Sequence, residues 1–303
     1  MSIDAAASRQ FALVAKAIAF IRAQGAQAPT LEEIAAAMGL SAQTLERVLA
    51  DWAGISPQHF LHYLSRTYVR EQLAASADQL TQRPAGERDS PRRTQGRMLS
   101  WETMTAEQIR AAALGIDIGY GFGPTPFGDA LLAWTARGIC HLAFSAGDET
   151  QDGGEGEATL LAELSALWPA ARLQREDRHA HDLLQQIFSP TPSHDGVHVV
   201  LRGTPFQIRI WEALIHLQPG QLVSYGQLAH ALHAPGSSRA VGSAIAANSL
   251  GFLIPCHRMI RADGNFGEYR WGCTRKQAMI VWEAHNLTLS AVGTSADGRA
   301  QRP

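Results

Sequence analysis

Cysteine is scarce in this chain of 303 residues: Cys140, Cys256 and Cys273 are the only three, and no two are spaced as C-x-x-C. An odd, sparse set builds no disulfide framework and offers no cysteine-rich zinc site, so a reducing cytoplasm and no metal are expected. Excess charge is missing too. The formal net charge is −2, which points to no particular partner. Lys16 interrupts the one apolar stretch near the N-terminus and Asp4 precedes it. Neither a signal peptide nor a membrane span is expected. The glycine-rich GYGFGPTPFG does not lead into a helix with a Lys-Ser/Thr pair, which argues against a phosphate loop.

What is present is unevenly spread. Residues 141–196 hold ten acidic side chains against three arginines, whereas residues 197–287 hold eight Lys/Arg against four Asp/Glu. A basic C-terminal half is compatible with a phosphate-bearing partner. The length suggests two or three domains with ample apolar content for their cores.

Phe11, Val14, Ile18 and Ile21 recur at helical spacing over residues 5–24. Thr30 and Glu33 form a capping-box pattern, Gly39 breaks the helix they start, and Ser41 can cap a second helix containing Leu45, Val48 and Leu49. Helix, glycine turn, helix is the pattern of a helix-turn-helix unit whose second helix would present Gln43, Glu46 and Arg47 outward. An ordinary helical hairpin shares that spacing. Residues 77–97 carry five arginines without hydrophobic periodicity and read as a flexible linker. From Gly115 to Phe144, apolar segments separated by glycine-rich turns predict antiparallel strands, with Cys140 a buried small residue in one of them. Helices are expected over 157–167 and 179–187, a strand in VHVVLRG, and an amphipathic helix over 205–217. Ser224 and Gln227 in SYGQLAHAL again have capping-box spacing.

The next helix, RAVGSAIAAN (239–248), is made of small residues. Ala240, Gly242 and Ser243 leave little bulk, and Gly242 costs roughly 1 kcal/mol relative to alanine. Either another helix or a nucleic-acid groove could approach such a backbone. With SYGQLAHAL before it, this is a second helix-turn-helix pattern, and Arg239 stands in its first turn, suited to a base stack or a narrow groove.

FLIPCHRMI (252–260) sets a thiol, an imidazole and a guanidinium side by side. The nucleophile of cysteine chemistry is the thiolate, and a histidine oriented by a carboxylate can take its proton. Adjacent residues on a regular strand point apart, so Cys256 and His257 need a sharp turn or a bridging water. Pro255 biases Ile254 toward extended backbone, which would set the thiol at a strand end. Glu283 in TRKQAMIVWEAHN is a plausible carboxylate. Taken alone, a Cys-His pair is as readily structural, and a cysteine hydrolase or a zinc site would use the same two residues.

IPCHR together with LVSYGQLA, SRAVGSAIAAN and EYRWG, in this order, closely resembles the methylated-DNA–protein-cysteine methyltransferases, which repair O6-alkylguanine. The likeness spans roughly residues 110–287 and is best over 204–285. LADWAGISPQHFLHYL resembles the AraC-type half of the Ada-like bifunctional repair regulators. The resemblance implies an α+β fold. An all-α helix-turn-helix module would cover 1–76, a linker 77–98, an α/β ribonuclease-H-like subdomain 99–196, a helical, winged-helix-like catalytic domain 197–287 and a disordered tail 288–303.

It also implies roles. Cys256 would accept the alkyl group, His257 would relay its proton through a water, and Glu283 would orient His257. Asn248 would fix the turn presenting the thiol. Tyr225 would hydrogen-bond the flipped guanine, and Arg239 would fill the gap it leaves. Ala240, Gly242 and Ser243 would lie against the DNA, as would Gln43 and Arg47 of the N-terminal module. Tyr269, Arg270, the backbone of Met259 and Lys276 would form the base pocket. The partner would be double-stranded DNA containing alkylated bases, with no membrane, and the protein a monomer. A stacked guanine hides its O6 substituent, so the base must be extruded. One in-line displacement ends in a stable thioether, so no cofactor is needed and each molecule acts once. O4-alkylthymine is an expected second substrate, and Ada-like transcriptional regulation is the alternative function. Two departures stand out. The cysteine-rich zinc domain of those regulators has no counterpart, and an arginine-rich stretch replaces the second helix-turn-helix expected after YVREQLAAS. A single module would add DNA affinity by tethering.

Overall fold

Side-chain caps at Thr30, Ser41 and Ser56 start three of the N-terminal helices. In the computed structural model, which describes residues 5–25, 29–81, 92–94, 97–105, 107, 109, 114–145, 153–189 and 196–297, helix α1 (Ala5–Ala23) buries Phe11, Val14, Ala17 and Ile18. Helix α2 (Leu31–Ala37) begins at a reciprocal cap: Glu33 N donates to Thr30 Oγ1 at 3.3 Å and Thr30 N to Glu33 Oε2 at 2.8 Å. Ser41 caps α3 (Ala42–Ala53), which buries Leu45, Leu49 and Trp52 and stops at Gly54 in the left-handed region. Helices α4 (Pro57–Leu64) and α5 (Arg66–Thr81) follow.

Seven strands form one mixed sheet: β1 (Arg92–Thr94), β2 (Arg97–Thr103), β3 (Asp117–Gly123), β4 (Ala130–Thr135), β5 (Gly138–Phe144), β6 (Arg172–Arg175) and β7 (Val197–Leu201), in the order β1-β2-β7-β5-β4-β3-β6. The antiparallel β3-β4-β5 meander follows the sequence pattern, but β2–β7, β5–β7 and β3–β6 are parallel. Parts of the 77–98 stretch, expected as a flexible linker, lie in regular elements. Helix α5 runs to Thr81 and β1 starts at Arg92, its arginines lying on an edge strand where charge is tolerated. Residues 82–91, 95 and 96 lie outside the described ones. Gly119, Gly121 and Gly123, read as turns, sit inside β3. A Cβ on Gly121 would come within 2.7 Å of Ala180 Cβ and Asp177 Cα, so glycine lets a helix lie directly on the strand. That helix is α7 (Asp177–Phe188); α6 (Gly153–Leu167) packs near β4 and β5.

The C-terminal part adds α8 (Pro205–Ile215), a two-stranded ladder of β8 (Val223–Ser224) and β9 (Met259–Ile260), α9 (Tyr225–Ala231), α10 (Ser238–Ala246) and α11 (Cys273–Asp297). Reciprocal caps at Thr204/Gln207 and Ser224/Gln227 start α8 and α9. Past Asn286, α11 continues to Asp297 and not into the disordered tail expected from 288. No proline interrupts it, and Leu287 rests on Gly220, where a Cβ would meet Leu287 Cδ1 at 2.5 Å. Residues 298–303 lie outside the described ones.

One core links these parts. Phe127, Phe188, Phe252 and Trp282 pack ring against ring at 4.7–5.9 Å, and Phe11 of α1 meets Phe127 at 6.3 Å. The N-terminal helices are docked and do not trail on a tether. Helices α1 and α4 lie on α11, and α5 packs against α9 and β8. Buried Trp52 Nε1 donates to Pro126 O at 2.7 Å, and Gln227 Nε2 donates to Leu73 O at 2.9 Å.

Candidate active site

The segment before Cys256 is a tight turn, not the end of a strand. Phe252 adopts a left-handed φ of 66°, which is strained for an aromatic residue. Its burial among Phe127, Phe188 and Trp282 holds it there, and its ring stacks on His257 with centroids 5.7 Å apart. Asn248 replaces the missing ladder. Its Oδ1 accepts from Leu250 N at 2.8 Å, and its Nδ2 faces Leu250 O, Ile254 O and Cys256 Sγ at 3.3, 3.2 and 3.1 Å. Cys256, His257 and Arg258 then form one 3₁₀ turn leading into β9. A turn, unlike a strand, lets adjacent side chains serve one site.

All three residues are buried. His257 Nε2 lies 2.8 Å from Glu283 Oε1. Arg258 donates from Nε to Glu283 Oε2 and from Nη2 to Oε1, both at 2.8 Å, and from Nη1 to Leu217 O at 2.7 Å. Although burial alone would raise it, the Glu283 carboxyl is held far below the usual range by the Arg258 guanidinium and by His257. An ionised carboxylate only accepts, so His257 Nε2 must carry the proton and Nδ1 its lone pair. Burial lowers the His257 pKa, keeping the ring neutral, while Glu283 opposes that shift. Among the described residues Nδ1 has no hydrogen-bond partner, which leaves a buried base at the thiol's own turn.

Burial pushes the Cys256 thiol up, and hydrogen bonds from Asn248 and Tyr269 and the charge of Lys276 pull it back. Tyr269 also donates to Met279 Sδ at 3.5 Å, and its own pKa is driven well up by burial and by Cys256. Lys276 is fully buried, its Nζ 3.4 Å from Glu268 O, and burial lowers its pKa to about 8. The β8–β9 ladder pairs Val223 with the backbone of Met259 and Ser224 with Ile260, so Tyr225 comes just past the end of this ladder. Burial and the nearby Cys256 raise the Tyr225 pKa.

On α10, Val241, Ala244 and Ile245 face inward while Arg239, Ala240, Ser243 and Ala246 are exposed. Gly242 lies beside Tyr225, where a Cβ would meet the ring carbons at 3.8 Å. Arg239, Ala240, Gly242 and Ser243 thus form a low ridge next to the tyrosine.

The model for the DNA-binding domain of 6-O-methylguanine DNA methyltransferase matches residues 205–285. Over 263 residues, 85% of this chain, the sequence is 33% identical to the bifunctional transcriptional activator/DNA repair enzyme Ada of Escherichia coli and covers 71% of that protein. The chain belongs to the Ada family. Another relative, a methylated-DNA–protein-cysteine methyltransferase of Mycobacterium tuberculosis, is 40% identical over 104 residues, 34% of this chain and 63% of its own length. The solved structure of Mycobacterium tuberculosis OGT in complex with DNA is 28% identical and covers 57% of this chain and 99% of its own, with a TM-score of 0.42.

In this Ada-family chain Cys256, His257, Glu283, Asn248, Tyr225, Tyr269, Met259 and Lys276 come together from five separate stretches of sequence. Arg270 does not join them. Its Nη2 pairs with Glu163 of α6 at 2.9 Å, and its guanidinium lies over Trp271. Gln43 and Arg47 are exposed on α3, an element apart from Cys256. Arg258 had no role in the reading of the sequence. A guanidinium inside the apolar FLIPCHRMI is the signal, because a fully buried arginine requires a carboxylate. Cys140 is buried in β5 and its thiol is pushed up to about 12, the setting of an inert cysteine. Among the described residues no helix is long and apolar enough to cross a membrane.

Proposed function

We propose that this chain repairs O6-alkylguanine in duplex DNA by moving the alkyl group to Cys256, once per molecule. The observation that carries this reading is the buried thiol enclosed by Asn248, Tyr269 and Lys276 at the same turn as a neutral His257 held by Glu283. His257 Nδ1 takes the thiol proton, through one bridging water. The thiolate attacks the alkyl carbon in line, a C–S bond forms, and the C–O6 bond breaks with its electron pair leaving on the guanine. The guanine takes up one proton, donated across the Tyr225 hydroxyl, so the thiol proton is replaced by the alkyl group and the base is restored. Lys276 and Tyr269 favour the thiolate, and Asn248 holds its position. Arg239 occupies the space left in the stack, and the low ridge of Ala240, Gly242 and Ser243 lies in the minor groove.

On this reading residues 99–196 form the ribonuclease-H-like subdomain and 197–287 the winged-helix-like catalytic domain. The protein works as a cytoplasmic monomer without a cofactor, and O4-alkylthymine is a second substrate. Duplex DNA carrying radiolabelled O6-methylguanine should transfer up to one equivalent of label to Cys256. Repeated turnover, or transfer that survives Cys256→Ala, would refute it. A second reading, transcriptional regulation through α2 and α3, is favoured by the exposed Gln43 and Arg47 on a capped helix after a glycine turn, and by the long alignment with Escherichia coli Ada.

A further inference from the structure

The docked N-terminal helices build something beyond the site above. Between them and the 261–268 loop lies a cavity of about 360 Å³, into which Arg22 of α1, Arg66 of α5 and Arg261 of the loop all project, with Glu268 the one acidic lining residue. Each arginine is exposed. Arg22 Nη1 donates to Thr274 Oγ1 at 3.2 Å. Arg70, one helical turn after Arg66, flanks the cavity and donates to Asp263 O at 3.5 Å. Two glycines bring the loop this close. Gly264 has φ +83°, and a Cβ there would sit 3.2 Å from Arg70 Cγ; Gly267 has φ +68°, and a Cβ would sit 3.3 Å from Arg261 Nε. Gln277, buried among the lining residues, has an Oε1 with no partner among the described residues, and turning its amide over would offer an N–H instead.

The cavity adjoins the reacting centre. Its loop runs directly into Tyr269, and the Arg261 charge reaches Tyr225 and Lys276, opposing the rise of the one and adding to the fall of the other. Building on the DNA-repair reading, we propose that this cleft seats a backbone phosphate of the lesion-bearing duplex, so that Arg66 and Arg70 of the N-terminal helices extend the catalytic domain's own DNA surface. The occupant is a phosphodiester because several guanidinium groups from two parts of the chain meet beside the base pocket with little opposing charge.

The test compares the full-length chain with an R66A/R70A variant. The affinity for a duplex is measured across salt concentrations, and alkyl transfer is measured from duplex and from free O6-benzylguanine, which has no phosphate. Because Arg66 and Arg70 serve one phosphate, their loss should lower the slope of log Kd against log salt by about 1. Duplex affinity near 0.15 M salt should fall on the order of tenfold, and transfer from the free base should persist. The charge-preserving R66K/R70K variant should keep the wild-type slope. An unchanged slope in R66A/R70A, or an equal loss in R66K/R70K, overturns the proposal. Inorganic phosphate that binds the cleft while the duplex slope stays fixed also overturns it, since the anion then comes from solution. A wild-type chain inert toward both substrates refutes the repair reading instead.

Discussion

Lys276 is one of only two lysines in the chain, the other being Lys16, and it is wholly buried. A buried ammonium is tolerated here because it faces a group that becomes an anion. With its pKa lowered to about 8 by burial, it holds its proton at neutral pH, where its charge offsets part of the rise that burial imposes on the thiol. The sign follows. Below about pH 8 the positive charge favours the thiolate, and above it that help fades. The wild-type transfer rate should therefore climb with pH and flatten near 8. Lys276→Met should be slower at pH 7 by roughly tenfold, equivalent to about one pKa unit of lost thiolate stabilisation, and should keep climbing through pH 9. Single-turnover rates across pH decide it. A Lys276→Met profile that flattens where the wild type does would remove the lysine from this role. Glu283 shows the same economy: one carboxylate fixes the histidine tautomer and neutralises Arg258, whose burial would otherwise be costly.

Among the elements, α10 is unusual for its lack of bulk. Replacing Gly242 with alanine should stabilise the helix by up to about 1 kcal/mol, because the new methyl meets the Tyr225 ring only at ordinary contact distance. The same methyl fills the space between ridge and tyrosine, so transfer from duplex DNA should slow. Urea unfolding and single-turnover repair, measured together, should move in opposite directions; a purely structural glycine would move them together or not at all. Capped helices were legible in the sequence because their signals are local: Thr30, Ser41 and Ser224 each act within three residues. The parallel strand pairs were not, since β2–β7 joins residues about a hundred positions apart. The turn at Phe252 was hidden for another reason. An apolar run reads as a strand unless one knows that an asparagine side chain supplies its hydrogen bonds. Cys256, His257 and Glu283 could be picked out by chemistry, whereas the diversion of Arg270 to Glu163 depends on a helix from the other half of the fold.

At the scale of the molecule, the N-terminal helices are fastened by buried contacts such as Trp52 to Pro126, Phe11 to Phe127 and Gln227 to Leu73. Removing residues 1–76 should therefore lower the stability of what remains by several kcal/mol, since it uncovers apolar surface on α11 and orphans the Pro126 carbonyl. Thermal unfolding of the intact and shortened chains checks this, and equal midpoints would mean the docking contributes nothing. Full-length protein separates the two readings of function: a regulator binds a specific promoter, and a protein that only repairs binds none while still taking label from the lesion.

Helix α11 has a consequence of its own. It carries Lys276 and Glu283 toward the thiol, and it bears the weight of α1 and α4. Tyr68, whose hydroxyl is pushed up to about 12 by burial and by the neighbouring Tyr63 and Glu283, stands on the other side of the same partition. The two compartments share a wall, so a knock on either side is heard on both. Alkylation at the thiol should register as altered fluorescence or amide exchange around Tyr63 and Tyr68, across the helix from the reacting sulfur.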